Sequence, residues 1–172
     1  SGLARDGDAD RIGAIDEKGV FFDSHRIFAT VLRHLHDVRG LTGSVAQTVS
    51  STVMIRRLCA RRSLAVIETP IGFKHLADHL MDGGNAFMAG EESGGLGFAF
   101  HLPERDGALS ALLLLEACAK AGMPPRALLG EVFEEVGTWH YQRQDVHLDP
   151  SRAAGIVETV RSASPDELAG AA

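Results

Sequence analysis

Three carboxylates stand at alternate positions in Asp6-Gly7-Asp8-Ala9-Asp10-Arg11. In an extended or looping backbone, residues i, i+2 and i+4 point the same way, so all three can converge on one cation. That many hard oxygen donors suits Mg²⁺ or Ca²⁺ better than zinc. An EF-hand reading puts Glu17 at the twelfth ligand position, but Arg11 stands where the sharp turn needs glycine. Gly19-Val20-Phe21-Phe22 is also a poor exiting helix. A plain polar turn is the blander alternative, although three like charges this close repel and favour a neutralising cation.

A second stretch, Gly90-Glu91-Glu92-Ser93-Gly94-Gly95, lies between the apolar runs 86–89 and 96–100. Short apolar runs bounded by glycines suggest buried strands, which makes the hexamer a loop at a strand end. Its glycines allow close backbone approach to a ligand, and its carboxylates and hydroxyl can bond a polyol such as a sugar. A solvated Gly/Glu hairpin turn is the plainer alternative. A third stretch, Thr69-Pro70-Ile71-Gly72-Phe73-Lys74-His75, reads as a strand-to-helix turn. Lys74 then falls in the first helical turn and opposes the helix dipole, unless it and the helix N–H groups face a phosphate or hydroxyl.

The elements that must position these groups alternate along the chain. A strand over 11–16, a turn at Glu17-Lys18-Gly19 and a return strand over 20–22 follow the acidic loop. A helix over 25–38 puts Ile27, Val31, Leu32 and Leu35 on one face, with His34 and His36 expected at the surface. Strand 44–50, a helix from Ser51 or Thr52 burying Ile55, Leu58 and Cys59, and strand 64–68 come next, then the Lys74 helix to about Met81. After the hexamer a helix runs over 108–121 to Gly122, and its Leu112-Leu113-Leu114-Leu115 implies burial on more than one face. Pro124-Pro125 opens a helix to Val136, Trp139-His140-Tyr141 is a strand or linker, a last helix covers 150–162, and 164–172 reads as a linker. The predicted class is α/β, a layered α/β/α domain with a mixed sheet. Open sheets of that kind bind ligands past their strand ends, where Lys74 and Glu91 both fall.

A chain of 172 residues can hold one domain with a real core, or one domain and part of another. Its net charge of −6 and the lack of a basic cluster argue against a nucleic-acid partner. No apolar run reaches membrane-spanning length, 111–119 being the longest candidate, and no signal pattern opens the sequence. Cys59 and Cys118 are far apart, so two buried, reduced thiols in a cytoplasmic protein are expected.

Four motifs occur in order: Gly2-x-Ala-x-Asp-x-Asp-Ala-Asp-Arg11, Thr69-Pro-x-Gly-Phe-Lys74, Gly90-Glu-Glu-Ser-Gly94 and Glu104-Arg-Asp-Gly107. Together they resemble the α-D-phosphohexomutases, and the double-Glu loop looks most like the phosphoglucomutases. The resemblance implies a fold of the phosphoglucomutase middle-domain type. It implies a metal-binding loop and strand ending a second domain over 1–16, a sugar-binding third domain over 17–140, and a helix and linker towards a fourth over 141–172. It further implies an isomerase that passes a phosphoryl group between an enzyme serine and the 1- and 6-hydroxyls of a hexose through a bisphosphate. Glucose 1-phosphate and glucose 6-phosphate are the expected substrates, and the remaining mutase domains the expected partners.

Carried over by resemblance, Asp6, Asp8 and Asp10 match the Mg²⁺ ligands, and Arg11 matches a cationic clamp beside the phosphoserine. Glu91 and Ser93 match the pair that bonds sugar hydroxyls, with Lys74 and segment 101–105 facing the same cleft. Related phosphoglucomutases often carry lysine, a candidate general base, where this chain has Arg105. Arginine stays protonated, so a clamping role suits Arg105 better. The family's phosphoserine loop is absent from this sequence, as is its fourth-domain phosphate loop. The piece alone is therefore expected to be inactive and to hold Mg²⁺ weakly. The alternative is a non-catalytic phosphosugar-binding module. Under the family reading, Lys74, Glu91, Ser93 and Arg105 must share one rim of the sheet.

Overall fold

The layering follows from side chains leaving a strand on alternate faces. In the computed structural model, which describes residues 1–142, 144 and 147–163, the strand β4 (Ser44–Thr48) is buried throughout. Val45 enters a large core with Ile27, Leu32, Ile55, Met88 and Leu113. Its neighbour Ala46 enters a smaller cluster with Phe73, Leu76, Leu80 and Ala89. Two helical layers thus clasp one sheet, an α/β/α arrangement as the sequence predicts.

The chain divides into two units, Ser1–Trp139 and His140–Ala172. In the first, β1 (Gly2–Arg5), β2 (Ile12–Ile15) and β3 (Phe21–Phe22) form an antiparallel meander with the acidic loop between β1 and β2. The main sheet has the order β5-β4-β6-β7, with β5 (Ala65–Thr69), β6 (Ala86–Gly90) and β7 (Leu96–Phe98). Strands β4, β5 and β6 are parallel, and only β7 runs against its neighbour, making the sheet mixed. Helices α1 (Ser24–Asp37), α2 (Val53–Arg61), α4 (Gly107–Ala121) and α5 (Pro125–Val136) pack on the large-core face. The helix α3 (Phe73–Leu80) covers the other face. The chain moves outward from β4 to β5 through α2 and back across to β6 through α3. Opposite directions with helices on opposite faces give both crossovers the same hand, as parallel connections require.

Caps end the helices where the sequence signals them. Asp23, Thr52 and Asp106 accept backbone N–H groups at the starts of α1, α2 and α4, and left-handed Gly122 closes α4 at φ 64°. Three expectations fail. His34 is buried, because it lies on the α1 stripe that faces α4 and α5, whereas His36 is half-buried with Nδ1 2.8 Å from the Leu41 carbonyl. The four leucines of α4 do not bury several faces: Leu113 and Leu114 are buried, while Leu112 is 63% and Leu115 50% exposed. Consecutive residues step about 100° round a helix, so a four-leucine run overflows a stripe facing one layer. Cys59 is buried, but Cys118 is only half-buried, and both are free thiols. Burial pushes the Cys59 thiol up to about 12, with Arg62 pulling the other way, so it is inert at neutral pH.

In the second unit, residues 140–142 are irregular and α6 (Pro150–Ala163) is one helix. The linker expected over 164–172 lies outside the described residues. Among the described residues no single helix is long and apolar enough to cross a membrane.

Candidate functional site

Parallel pairing puts the ends of β4, β5 and β6 at one edge: Thr48 is in register with Thr69, and Gln47 with Gly90. The Lys74 turn leaves β5 there, and the glycine-rich hexamer leaves β6. The hexamer is a tight hairpin into β7, closed by Glu91 N–H to the Gly95 carbonyl at 3.0 Å and Gly94 N–H to the Glu91 carbonyl at 3.2 Å.

The two glutamates do different jobs. Glu91 is buried at 6% exposure, a cost for a carboxylate that its partners offset. One oxygen accepts Gly72 N–H at 3.2 Å, and the other lies 3.4 Å from the Arg105 guanidinium. Glu92 turns towards the end of β4 and accepts from Ser50 Oγ at 2.5 Å and Thr48 Oγ1 at 3.3 Å. Its carbonyl accepts Ser24 Oγ at 2.5 Å, tying the hairpin to the start of α1. Glu92 is therefore an anchor for the loop, a role no local motif announces. Hydroxyl residues just after β4 were the available signal. Ser93 is exposed at the tip.

The acidic loop is bound directly to this hairpin. Ile12 N–H donates to the Gly94 carbonyl at 3.2 Å, and Arg11 bridges Gly95 in antiparallel fashion. On its other side Gly107 N–H, at the start of α4, donates to the Ala9 carbonyl at 3.0 Å. A side chain at Gly107 would meet the Ala9 carbonyl at 2.8 Å and that of Arg11 at 2.6 Å. Only glycine lets α4 start this close to the loop. Ala9 takes the left-handed φ of 62°, folding the loop so that carboxylate oxygens of Asp6, Asp8 and Asp10 lie within 4.8 Å of one another. Oxygens on opposite sides of the ion are about 4.2 Å apart round Mg²⁺ and about 4.6–5.2 Å apart round Ca²⁺, so these hard carboxylate donors suit either ion, with a slight closing of the loop for Mg²⁺.

Arginines balance the triad. Arg11 Nε sits 2.5 Å from Asp6 and 3.3 Å from Asp10, and Arg11 N–H donates to Asp6 at 3.2 Å. Burial raises the Asp6 carboxyl, but the Arg11 backbone and side-chain bonds outweigh it and hold the group below its ordinary value. Asp10 goes the other way: burial, with Asp8 and Asp6 nearby, raises it despite Arg105. Arg105 Nη2 lies 2.6 Å from Asp10, and its guanidinium also stands 5.8 Å over the Phe73 ring at the start of α3. One side chain therefore touches the acidic loop, the glycine-rich hairpin and the helix that carries Lys74. Lys74 is exposed on the first turn of α3, two residues past the Gly72 N–H held by Glu91. His101 Nε2 pairs with the Asp106 carboxylate at 3.0 Å, beside the cap of α4.

An α/β/α sheet that gathers an acidic loop, a buried carboxylate and arginines past the ends of its parallel strands has them where sheets of this kind bind ligands. The chain belongs to the phosphoglucomutase/phosphomannomutase family, whose alpha/beta/alpha domain III matches residues 23–136. It is 36% identical over 132 residues to a phosphoglucosamine mutase of Heliobacterium modesticaldum, covering 76% of this chain and 28% of that protein. It is 30% identical over 174 residues to a phosphoglucomutase of Komagataeibacter xylinus, covering 96% of this chain and 30% of that one. Among solved structures, a Thermus thermophilus protein described as a phosphomannomutase superposes with a TM-score of 0.77 at 39% identity, over 81% of this chain and 31% of that chain. The chain thus spans under a third of the length of these relatives.

Proposed function

We propose that this chain is the sugar-binding domain of a phosphohexomutase that interconverts hexose 1-phosphate and 6-phosphate, with glucose 1-phosphate and glucose 6-phosphate as substrates. The observation that carries the reading is Arg105, which reaches Asp10 at 2.6 Å and Glu91 at 3.4 Å and so joins cation loop and sugar hairpin in one place. Asp6, Asp8 and Asp10 hold Mg²⁺, which when bound polarises a phosphoryl oxygen and neutralises developing charge. Glu91 keeps lone pairs free beside its two protein partners and accepts bonds from sugar hydroxyls, with Ser93 as a second contact. Lys74, on the rim formed by the first turn of α3, faces phosphate oxygens. Arg11 and Arg105 remain charged throughout and act as clamps on the phosphosugar, not as bases.

The test is mutase turnover by the full-length protein, from either glucose 1-phosphate or glucosamine 1-phosphate. Removing one charge-assisted hydrogen bond with Glu91→Gln lowers kcat/KM by about 10- to 100-fold. Turnover of glucosamine 1-phosphate alone moves the substrate assignment to the amino sugar. Phosphosugar binding without turnover supports a non-catalytic module instead. Unchanged kcat/KM in Glu91→Gln refutes the sugar-contact role.

A further inference from the structure

A cation entering between Asp6, Asp8 and Asp10 meets arginines already in position. Arg11 Nε lies 2.5 Å from Asp6 Oδ2 and 3.3 Å from Asp10 Oδ1, and Arg105 Nη2 lies 2.6 Å from Asp10 Oδ2. Both oxygens of Asp10 therefore face a guanidinium. A divalent ion bound through Asp10 has to displace one of them, because like charges cannot share one carboxylate oxygen at such distances.

The two arginines differ in where they can go. Arg11 is fixed to the loop: its N–H donates to Asp6 at 3.2 Å, its backbone bridges Gly95, and both carboxylates that pair its side chain belong to the loop. Arg105 has partners outside the loop, with Nη1 3.4 Å from Glu91 Oε2 and Nε 3.6 Å from Glu104 Oε1. Charge-assisted N–H···O bonds run at about 2.7–2.9 Å, so a movement of about 0.5–0.7 Å completes the bond to Glu91. Holding Asp10 also leaves Arg105 with a donor unsatisfied, since Nε is buried without a hydrogen-bond partner among the described residues. Gly95 gives the stem its room: a side chain there would collide with Arg105 Cγ and Cδ.

We propose that Arg105 is a transferable counter-ion, which neutralises Asp10 until a divalent cation displaces it onto Glu91, so that occupancy of the acidic loop sets the state of the carboxylate that contacts the sugar. The inference rests on the reading of Asp6, Asp8 and Asp10 as a cation site and of Glu91 as a sugar contact, whichever hexose phosphate is turned over. Linkage makes the coupling reciprocal: whatever strengthens the Arg105–Glu91 pair favours the cation in the loop by the same factor.

The experiment titrates Mg²⁺ into the 172-residue chain at constant ionic strength, read by ¹H–¹⁵N NMR. The reporter is the Gly72 amide, which precedes α3 and donates to the other Glu91 oxygen at 3.2 Å. Gly72 and the Arg105 Nε–H are expected to shift along the same isotherm as the loop amides. In Arg105→Gln, Mg²⁺ binds about five- to tenfold more tightly, as for one displaced charge-assisted bond, and Gly72 no longer responds. Arg5→Gln removes the same charge from an exposed position next to Asp6 and tightens binding by less than about twofold. If Arg105→Gln does not fold, the Gly72 and Arg105 Nε–H shifts of the parent carry the test alone. The proposal is overturned by a silent Gly72 while the loop saturates, by unchanged or weaker Mg²⁺ binding in Arg105→Gln, or by an equal gain in Arg5→Gln. No saturation of the loop amides in parent or variant up to about 50 mM refutes the cation site itself, and the proposal with it.

Discussion

At Gly94 the glycine-rich hairpin backs closely onto Ile12 at the start of β2, and replacing it by alanine has a calculable cost. Its φ is +98°, and a Cβ there would stand 2.7 Å from the Ile12 carbonyl oxygen, closer than real contacts allow. Holding alanine in that sparsely populated region costs about 1–3 kcal/mol. Relieving the clash pushes β2 away and breaks the Ile12 N–H bond to the Gly94 carbonyl, now 3.2 Å, at about 0.5–1.5 kcal/mol. Reduced freedom of the unfolded chain offsets about 0.4–1 kcal/mol of this. The net expectation is a loss of about 2 kcal/mol, within a range of about 0.5–4 kcal/mol, a sizeable share of the stability of a domain this size. Gly130 is the control. It lies inside α5 with nothing within 4 Å of a new Cβ, so alanine there gains up to about 1 kcal/mol from helix propensity. Urea unfolding of the two variants beside the parent measures both. A Gly94→Ala loss under about 0.5 kcal/mol, or shifts of the same sign at both glycines, refutes the close-approach argument.

Arg62, with a 9% exposed side chain, bonds Asp37 at 2.7 and 2.6 Å and Glu135 at 2.8 Å, stapling α2 to α1 and α5. Arg62→Ala is expected to cost about 1.5–3 kcal/mol by chemical denaturation. Glu92→Gln weakens the Ser50 and Thr48 bonds by about 0.5–1.5 kcal/mol, read as faster hydrogen exchange at Glu91 and Gly94 with β5 unchanged. Burial holds His34 below its unfolded value of about 6.5, although Glu116 raises it while Arg39 and Lys120 lower it. The unfolded chain then binds a proton that the folded one refuses, so stability falls as pH drops through about 6.5 towards the folded value. His34→Leu should flatten that slope in pH-dependent thermal melts. Mg²⁺ should bind this chain only weakly, since Arg11 and Arg105 already partner Asp6 and Asp10 and the ion dehydrates reluctantly. A micromolar Kd by calorimetry refutes that.

The sequence by itself determined the class of fold and which loops leave the strand ends. Period and punctuation do not depend on distant contacts: Thr52 opens α2, Gly122 closes α4, and alternation around Val45 and Ala46 sets which residues meet which layer. The carboxylate triad and the Lys74 and Glu91 loops were legible for the same reason, since their spacing is local. Tertiary structure alone decided who holds whom. Glu91 and Glu92 are neighbours in one loop, yet one turns to Gly72 and Arg105 and the other to Ser50. That divergence comes from the hairpin sitting between β4 and the start of α3, a pairing made across 42 residues on one side and 19 on the other. His34 is buried for a like reason. Helical spacing marks a face, but only the packing of α4 and α5 against α1 shows how wide the buried stripe is. Arg105 carries most of this lesson, because its sequence suggests a clamp and only the fold puts Asp10, Glu91 and Phe73 around it.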